Sequence, residues 1–487
     1  MAEEQLIQER KRKLEELKQA GINPYAYSFD QKDHAAEILD KYKKLKKEEQ
    51  TKDKVKVAGR LMQLRRMGRA SFAHLQDASG KLQLYFREDD IGKKEYELLK
   101  KFDIGDMIGA EGTVFKTKTG ETTIYVKKFE LLTKSLKPLP EKWHGLQDKE
   151  ERYRKRYLDL IMNPDVKKVF LIRDKVIESI REFMKSRGYI EVQTPILQPI
   201  YGGGTARPFK SKLNALDMAV YMRIANEMYL KRLLVGGFEK IFEFSIDFRN
   251  EGIDKSHNPE FLLFEAMTAY ADYKFGMKLV EELTEHAVKK VKGTTKVFYQ
   301  DKTIDFKAPW KRISVRDAIK KYAGLDIEKA DDKELKQELA KHNIQLKGEY
   351  SRGDAVMALI ELCEPNFMQP TILYDYPIET SILAKPKRDD PRYAERFEQY
   401  VFGMEAGNNY SELNDPKILA ENWKKAEEAL KKGDVEAQRM DRDFINALEI
   451  GMPPACGIGI GIDRLIMLLT DQPSIRDVIF FPFMKPE

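Results

Sequence analysis

The chain has 487 residues, with 86 lysines and arginines set against 80 aspartates and glutamates for a net charge of +6 at pH 7. That near-cancellation excludes a global basic field as the means of holding nucleic acid, so any RNA contact must come from local arrangement. Two cysteines, Cys363 and Cys456, exclude a disulfide framework or a zinc site, and the length allows two to four domains with a large core. No apolar run approaches the length of a membrane span. The charged stretch Met1–Glu16 predicts no signal segment. A reducing, cytoplasmic compartment is expected.

Residues 3–20 alternate Glu, Lys and Arg around Leu6, Ile7, Leu14 and Leu17, which predicts a helix with a narrow apolar stripe, stopped by Gly21. Lys41–Lys56 reads as helix followed by a charged linker. From Val55 the texture changes to short strands: Val55–Met62, Ser71–Leu75, Leu82–Phe86, Asp106–Phe115 and Glu121–Lys127. Asp77-Ala78-Ser79-Gly80 and Lys118-Thr119-Gly120 mark turns, and a helix near Lys93–Phe102 interrupts the third and fourth strands. Five strands with that break suit a small OB-type barrel, with other small β-folds open on pattern alone.

Leu136-Lys137-Pro138-Leu139-Pro140 is a stiff linker. A larger domain begins near Glu151. Residues 165–186 have helical period, Gly188 closes the helix, and Tyr189–Val192 reads as a strand ended by Pro195. Strands follow at Ile241–Ile246, Thr371–Leu373, Phe397–Met404 and Ile458–Ile462, among long helices. Residues 311–368 are mostly helical and resemble an insertion; 416–449 form another helical stretch.

Two strings carry the chemistry. The first is Phe248-Arg249-Asn250-Glu251-Gly252, running on to His257-Asn258-Pro259-Glu260-Phe261. The second is Gly457-Ile458-Gly459-Ile460-Gly461-Ile462-Asp463-Arg464. An arginine presents a planar fork of donors that suits phosphate and carboxylate. Two such forks on one site would suit a nucleoside triphosphate. Alternate glycines leave one face of the second strand bare, so a planar nucleoside can lie on backbone. The run is no dinucleotide fingerprint, because Ile462 stands where the third glycine of GxGxxG belongs, and no Walker string occurs.

Together the strings resemble motifs 2 and 3 of the class II aminoacyl-tRNA synthetases, and in detail the lysine-specific, bacterial-type members. The helix and strand over 165–192 resemble motif 1, the dimer interface of that family, although an ordinary helix–strand unit reads that stretch equally well. The resemblance runs from about Gly21 to Pro486. It implies an α+β chain: an N-terminal helical segment (1–54), an OB-fold anticodon-binding barrel (55–135), a linker (136–150) and a class II catalytic domain (151–487) of antiparallel sheet flanked by helices, with a helical insertion (311–368). It implies a homodimer that ligates L-lysine to tRNA(Lys) at the expense of ATP.

By the same resemblance, Arg249 and Arg464 are the catalytic cations. ATP is met by Arg249, Glu251, His257, Phe261, Gly461 and Arg464. Lysine is met by Gly203, Glu227, Glu265, Asn408 and Glu412, in which Glu227 takes the α-amino group and Glu412 the ε-ammonium. Glu398 and Glu405 hold Mg²⁺. Seven apart on one strand-like segment they would face opposite ways, unless a bulge near Gly403 restored a common face. Arg65, Phe72, Gln83 and Glu121 match anticodon-reading positions.

Three departures stand out: Met267 replaces a family tyrosine whose hydroxyl helps hold the ε-ammonium, Ile382 replaces a proline, and Cys456 replaces a small residue. A lysine-activating relative that modifies a protein such as elongation factor P is the rival reading; such relatives lack the barrel. An aspartate- or asparagine-type enzyme is disfavoured by Glu412, since an acidic side chain would want arginine there.

Overall fold

The structure is a computed structural model that describes residues 2–140, 146–346, 350–431 and 439–486. Parts of three expected segments therefore lie outside the described residues: 141–145 of the linker, 347–349 of the insertion and 432–438 of the last helical stretch. The chain divides into two compact units, Met1–Gln147 and Asp148–Glu487.

In the first unit, strands β1 (Gln50–Met67), β2 (Ala70–Gln76), β3 (Lys81–Arg87), β4 (Met107–Lys116) and β5 (Thr122–Thr133) close a barrel in the order β1-β2-β3-β5-β4. Alternation drives this. Along β2, Ser71, Ala73 and Leu75 are buried while Phe72 and His74 face outward; along β3, Leu82, Leu84 and Phe86 are buried while Gln83 and Tyr85 face outward. Each apolar side chain taken fully inside contributes about 1.5–3 kcal/mol. The helix Lys93–Leu99 lies between β3 and β4, as expected for an OB-fold.

The charged run before the barrel resolves differently from the reading of it. Helix occupies Ala35–Lys41, and β1 starts at Gln50, inside the stretch expected to be linker. The first helix, Ala2–Gln19, docks by Leu14 and Leu17, leaving Leu6 exposed. Arg10 on it donates to the carbonyls of Ile104 and Lys137, each at 2.9 Å.

In the second unit, the strands along the chain are β6 (Ile190–Glu191), β7 (Leu197–Gln198), β8 (Lys210–Leu213), β9 (Met218–Met222), β10 (Lys240–Phe248), β11 (Glu260–Ala269), β12 (Lys296–Tyr299) and β13 (Lys302–Asp305). There follow β14 (Lys311–Ser314), β15 (Thr371–Pro377), β16 (Tyr393–Val401), β17 (Met404–Ser411) and β18 (Ala455–Gly461). Eight of them form one sheet in the order β14-β15-β16-β17-β18-β11-β10-β6, antiparallel except at its two ends. β14 opens the segment read as an insertion, yet it pairs in parallel with β15 and so belongs to the sheet.

The sheet has two unlike faces because side chains alternate across it. Phe242, Phe264, Ala266, Ile458, Ile460 and Phe397 point to one side, into a core shared with the helices Pro164–Ser186, Tyr273–Lys292 and Ile462–Thr470. The opposite face carries Glu243, Asp247, Glu265, Met267, Asn408 and Tyr410, with the bare glycines of β18 among them.

Candidate functional site

The polar face of the sheet is built around β10, β11 and β18. β10 and β11 form an antiparallel hairpin in which Asp247 lies opposite Phe261 and Glu243 opposite Glu265. The loop between them, 249–259, is held at both ends. Arg249 N donates to Pro259 O at 2.9 Å, and Asn250 N to Arg207 O at 2.8 Å. Inside the loop, Asp254 accepts from the backbone of Ser256 and His257 and meets the His257 ring at 2.8 Å. That turn aims His257 at Arg464, whose Nη2 is 3.4 Å from His257 Nε2. The Arg249 guanidinium lies over the Phe261 ring, 5.0 Å from its centroid, and its Nε donates to Ile224 O at 3.4 Å. Glu251 and Gly252 are exposed on the loop.

Arg464 sits in the first turn of the helix that follows β18, where Gly461 is the N-cap and offers no side-chain cap. Uncapped N–H groups at a helix start favour an anion. Arg464 Nη1 donates to the carbonyl of Glu405. The charges of Arg464, Arg396 and Arg249 all bear on the Glu405 carboxyl and lower it, against burial and the charge of Glu398.

Glu398 and Glu405 correct the single-strand reading of this segment. β16 and β17 are two strands of a hairpin that turns at Phe402-Gly403, both with positive φ (55° and 70°). The ladder slips between Gln399 and Tyr400, so Tyr400 faces Glu405 while Gln399 faces Gly407. The irregularity thus lies away from Gly403, which makes the turn itself. Glu398 is buried and held firmly: Oε1 accepts from Arg396 Nη2 at 2.6 Å, and Oε2 from Tyr376 at 2.7 Å and Tyr400 at 2.8 Å. The Glu405 side chain is 43% exposed. Desolvation by the cleft, and after it the charge of Glu398, raises its carboxyl above the ordinary range.

At the other end of the face, Glu227 opens the helix Glu227–Val235. Gly203 has φ +86°, and a Cβ there would meet Ala225 Cβ at 3.0 Å and Glu227 Cβ at 3.1 Å, so its backbone can approach only as glycine. Tyr410 donates to Glu227 Oε1 at 2.5 Å. Glu412 is fully buried, anchored by its own N–H on Ala455 O at 2.8 Å. Lys231 bridges Glu227 and Glu412. Glu265 lies opposite Gly459, and Met267 opposite Gly457. A Cβ on Gly457 would land on Glu412 Oε1, with Met267 Sδ 3.0 Å away. Burial pushes Glu412 up to about 8 against the pull of Lys231, and pushes Glu265 well above its usual range. Asn408 is exposed, with Oδ1 accepting from Arg396 Nε at 3.1 Å.

The expected residues of this face thus form linked groups: Glu227 and Glu412 through Lys231, with Gly203 against Glu227; Asn408 and Glu398 through Arg396; Glu405, Arg464 and His257 directly. Glu251 is joined to none of these. Sequence reasoning missed Lys231, Arg396, Tyr376 and Tyr400. For Lys231 the signal was present, since it stands one helical turn after Glu227.

On the barrel, the outward residues of β2 and β3 make an aromatic platform, with Phe72 and Tyr85 4.7 Å apart and Tyr85 and Phe115 5.9 Å apart. Arg65 lies opposite Phe72 in the β1–β2 ladder. Glu121 accepts from Gln83 at 2.7 Å and meets His74 at 2.8 Å. All seven line one concavity of ≈ 810 Å³. Its stacking surfaces beside hydrogen-bonding side chains suit single-stranded bases. His74, Tyr85 and Phe115 are the members that the motif reading did not single out.

Residues 148–485 match the family described as tRNA synthetases class II (D, K and N), and residues 55–132 match the OB-fold nucleic acid binding domain. Among curated proteins, the chain is 50% identical over 485 residues to a lysine–tRNA ligase of Carboxydothermus hydrogenoformans, covering 99% of this chain and 98% of that one. It is 51% identical over 487 residues to a lysine–tRNA ligase of Clostridium novyi (99% and 94% covered), and 50% identical over 486 residues to one of Pelotomaculum thermopropionicum (99% and 95% covered).

Proposed function

This chain belongs to the class II tRNA synthetases of the D, K and N type, and from that premise we propose that it is a lysine–tRNA ligase that activates L-lysine with ATP and transfers the lysyl group to the terminal ribose of tRNA(Lys). The observation that carries the amino-acid identity is a set of three buried carboxylates, Glu227, Glu265 and Glu412, on the sheet face that also carries Glu405, on which the charges of Arg249 and Arg464 both bear. A substrate with two ammonium groups suits it; an acidic one does not.

In the first step the lysine carboxylate attacks the α-phosphate and pyrophosphate leaves. The nucleophile is already an anion, so alignment and charge neutralisation carry the step. Arg249, over Phe261, is placed to hold the two anions together as the new bond forms. Arg464 and His257 would receive the far end of the triphosphate. In the second step a terminal ribose hydroxyl attacks the lysyl carbonyl, and AMP leaves.

Mg²⁺ suits Glu398 and Glu405. Burial, and after it the charge of Glu398, raises the Glu405 carboxyl, and a divalent cation would favour its ionised form. Two carboxylates suit an ion shared with substrate phosphates. When bound it would neutralise triphosphate charge.

The barrel platform supports anticodon reading by Arg65, Phe72, Gln83 and Glu121. Exposed apolar side chains on and beside the motif 1 unit, Leu171 (53%), Ile190 (52%) and Leu197 (55%), support a homodimer. The two free, buried cysteines suit a reducing cytoplasm. Among the described residues no helix is long and apolar enough to cross a membrane.

Pyrophosphate exchange measured with each of the twenty amino acids tests this reading, followed by charging of tRNA(Lys) in competition with elongation factor P. Exchange with lysine alone and transfer to tRNA are expected. Exchange driven best by another amino acid, or transfer to the factor alone, would overturn it.

A further inference from the structure

One ammonium in the pocket has no part in the chemistry just described. Lys231 follows Glu227 by four residues, so one helical turn sets both on the same face. Its side chain is 1% exposed. Its Nζ pairs with Glu227 Oε1, lies 2.5 Å from Glu412 Oε2 and sits 5.3 Å over the Tyr410 ring. Burial lowers this ammonium, and the facing Glu227 and Glu412 more than offset that, leaving it raised and charged.

A purely structural ion pair would match one cation to one anion. Here Glu227 and Glu412 both pair with a single ammonium, and Glu265 stands close enough to feel Glu227 and Lys231 alike. Glu243 and Asp247, on the neighbouring strand, pair with Arg223, at 2.8 and 3.2 Å, and their charge also bears on Glu265. Glu412 Oε1 and Glu265 Oε2 are buried with no hydrogen-bond partner among the described residues. Burial holds Glu265 and Glu412 toward their protonated forms; a substrate ammonium at each would draw them into the ionised form, and Lys231 would then balance the third carboxylate.

We propose that Lys231 is a positioning residue that sets the charge count of the amino-acid pocket. It cancels one of three carboxylates and turns Glu227 Oε1 and Glu412 Oε2 toward itself, leaving two negative charges to meet a substrate with two ammonium groups. This rests on the lysine reading of the pocket. An amino acid with one ammonium leaves a buried carboxylate uncompensated, at a cost of several-fold to many-fold in binding. Without Lys231 the pocket carries one charge too many for lysine, and Glu227 and Glu412 lose the cation that orients them.

Lysine-dependent pyrophosphate exchange in Lys231→Met, Lys231→Arg and Lys231→Ala, with unfolding followed in parallel, tests it. The methionine variant is expected to raise KM for lysine about tenfold or more while KM for ATP stays near that of the parent. The arginine variant, with its charge kept, is expected to stay within about threefold of the parent. In the alanine variant, added ethylammonium is expected to restore part of the loss and ethanol none. A folded methionine variant with unchanged KM for lysine, or with both KM values raised together, overturns the proposal. Should the methionine variant not fold, the arginine variant decides: a tenfold rise in KM for lysine with the charge still present sinks the idea. A parent chain that fails to exchange with lysine at all would instead bring down the functional reading.

Discussion

Asp463 accepts the backbone N–H of Leu262 at 2.7 Å, and its other oxygen pairs with Arg173. One buried carboxylate thereby ties the residue before Arg464 to the residue after Phe261, and both to the long helix Pro164–Ser186. The two arginines proposed to grip phosphate come from segments more than two hundred residues apart, so a fixed point between those segments matters. Asp463→Ala strands the Leu262 N–H and the Arg173 guanidinium. A loss of about 3 kcal/mol in unfolding free energy is expected, read by denaturant titration, with exchange activity falling alongside. Unchanged stability would show that this tie is dispensable.

Arg249→Ala removes the cation proposed to sit at the reacting phosphate without opening the core, because its side chain rests on Phe261. Lysine-dependent pyrophosphate exchange is expected to fall about 10²–10³-fold or more, with the melting temperature retained. Exchange at the parent rate in a folded variant would remove Arg249 from the chemistry.

Gly457→Ala places a methyl where Glu412 Oε1 lies and presses on Met267. Glu412 must then move, and the amino-acid end suffers before the nucleotide end. KM for lysine is expected to rise about tenfold or more while ATP affinity, measured by equilibrium binding, changes little. The same test asks how Met267 is tolerated: Met267→Tyr would bring a hydroxyl to the position opposite Gly457, and a drop in KM for lysine would show that the methionine weakens this pocket.

Several buried carboxyls titrate late. Burial raises Glu412 to about 8, Glu364 to about 7 and Asp247 to about 6. A carboxyl with a raised folded pKa stabilises the fold at low pH, and that contribution is lost as pH rises through the folded value. Between pH 6 and 8 the ligand-free chain is therefore expected to lose thermal stability. Lysine stabilises the ionised form of Glu412, so the increase in melting temperature from saturating lysine should be larger at pH 8 than at pH 6. An equal increase at both would argue that Glu412 does not meet an ammonium.

Phe72→Ala removes one face of the barrel platform. Since exchange needs no RNA, it should stay at the parent rate, while KM for tRNA(Lys) in charging rises about 5- to 150-fold, the equivalent of about 1–3 kcal/mol of lost stacking. An exchange defect would mean that the platform serves something other than RNA.

Much of this was legible in the residues. The short runs Ser71–Leu75 and Leu82–Phe86 announced the barrel, and the Arg249 and Arg464 strings announced a class II synthetase. The turn at Phe402-Gly403 escaped notice because a phenylalanine at positive φ carries no turn signature; only pairing with distant β15 and β18 imposes it. β14 escaped for a like reason, since four residues acquire strand character only beside β15. Lys231 was overlooked because a lysine on a helix is ordinarily read as solvated, and its burial follows from Glu412, far along the chain.

The bare side of β18 also limits how this protein can change. Glu412 and Met267 occupy the space above Gly457. Drift toward another amino acid at this point must therefore proceed through Glu412 and Met267 themselves, because the strand beneath them admits no added carbon there.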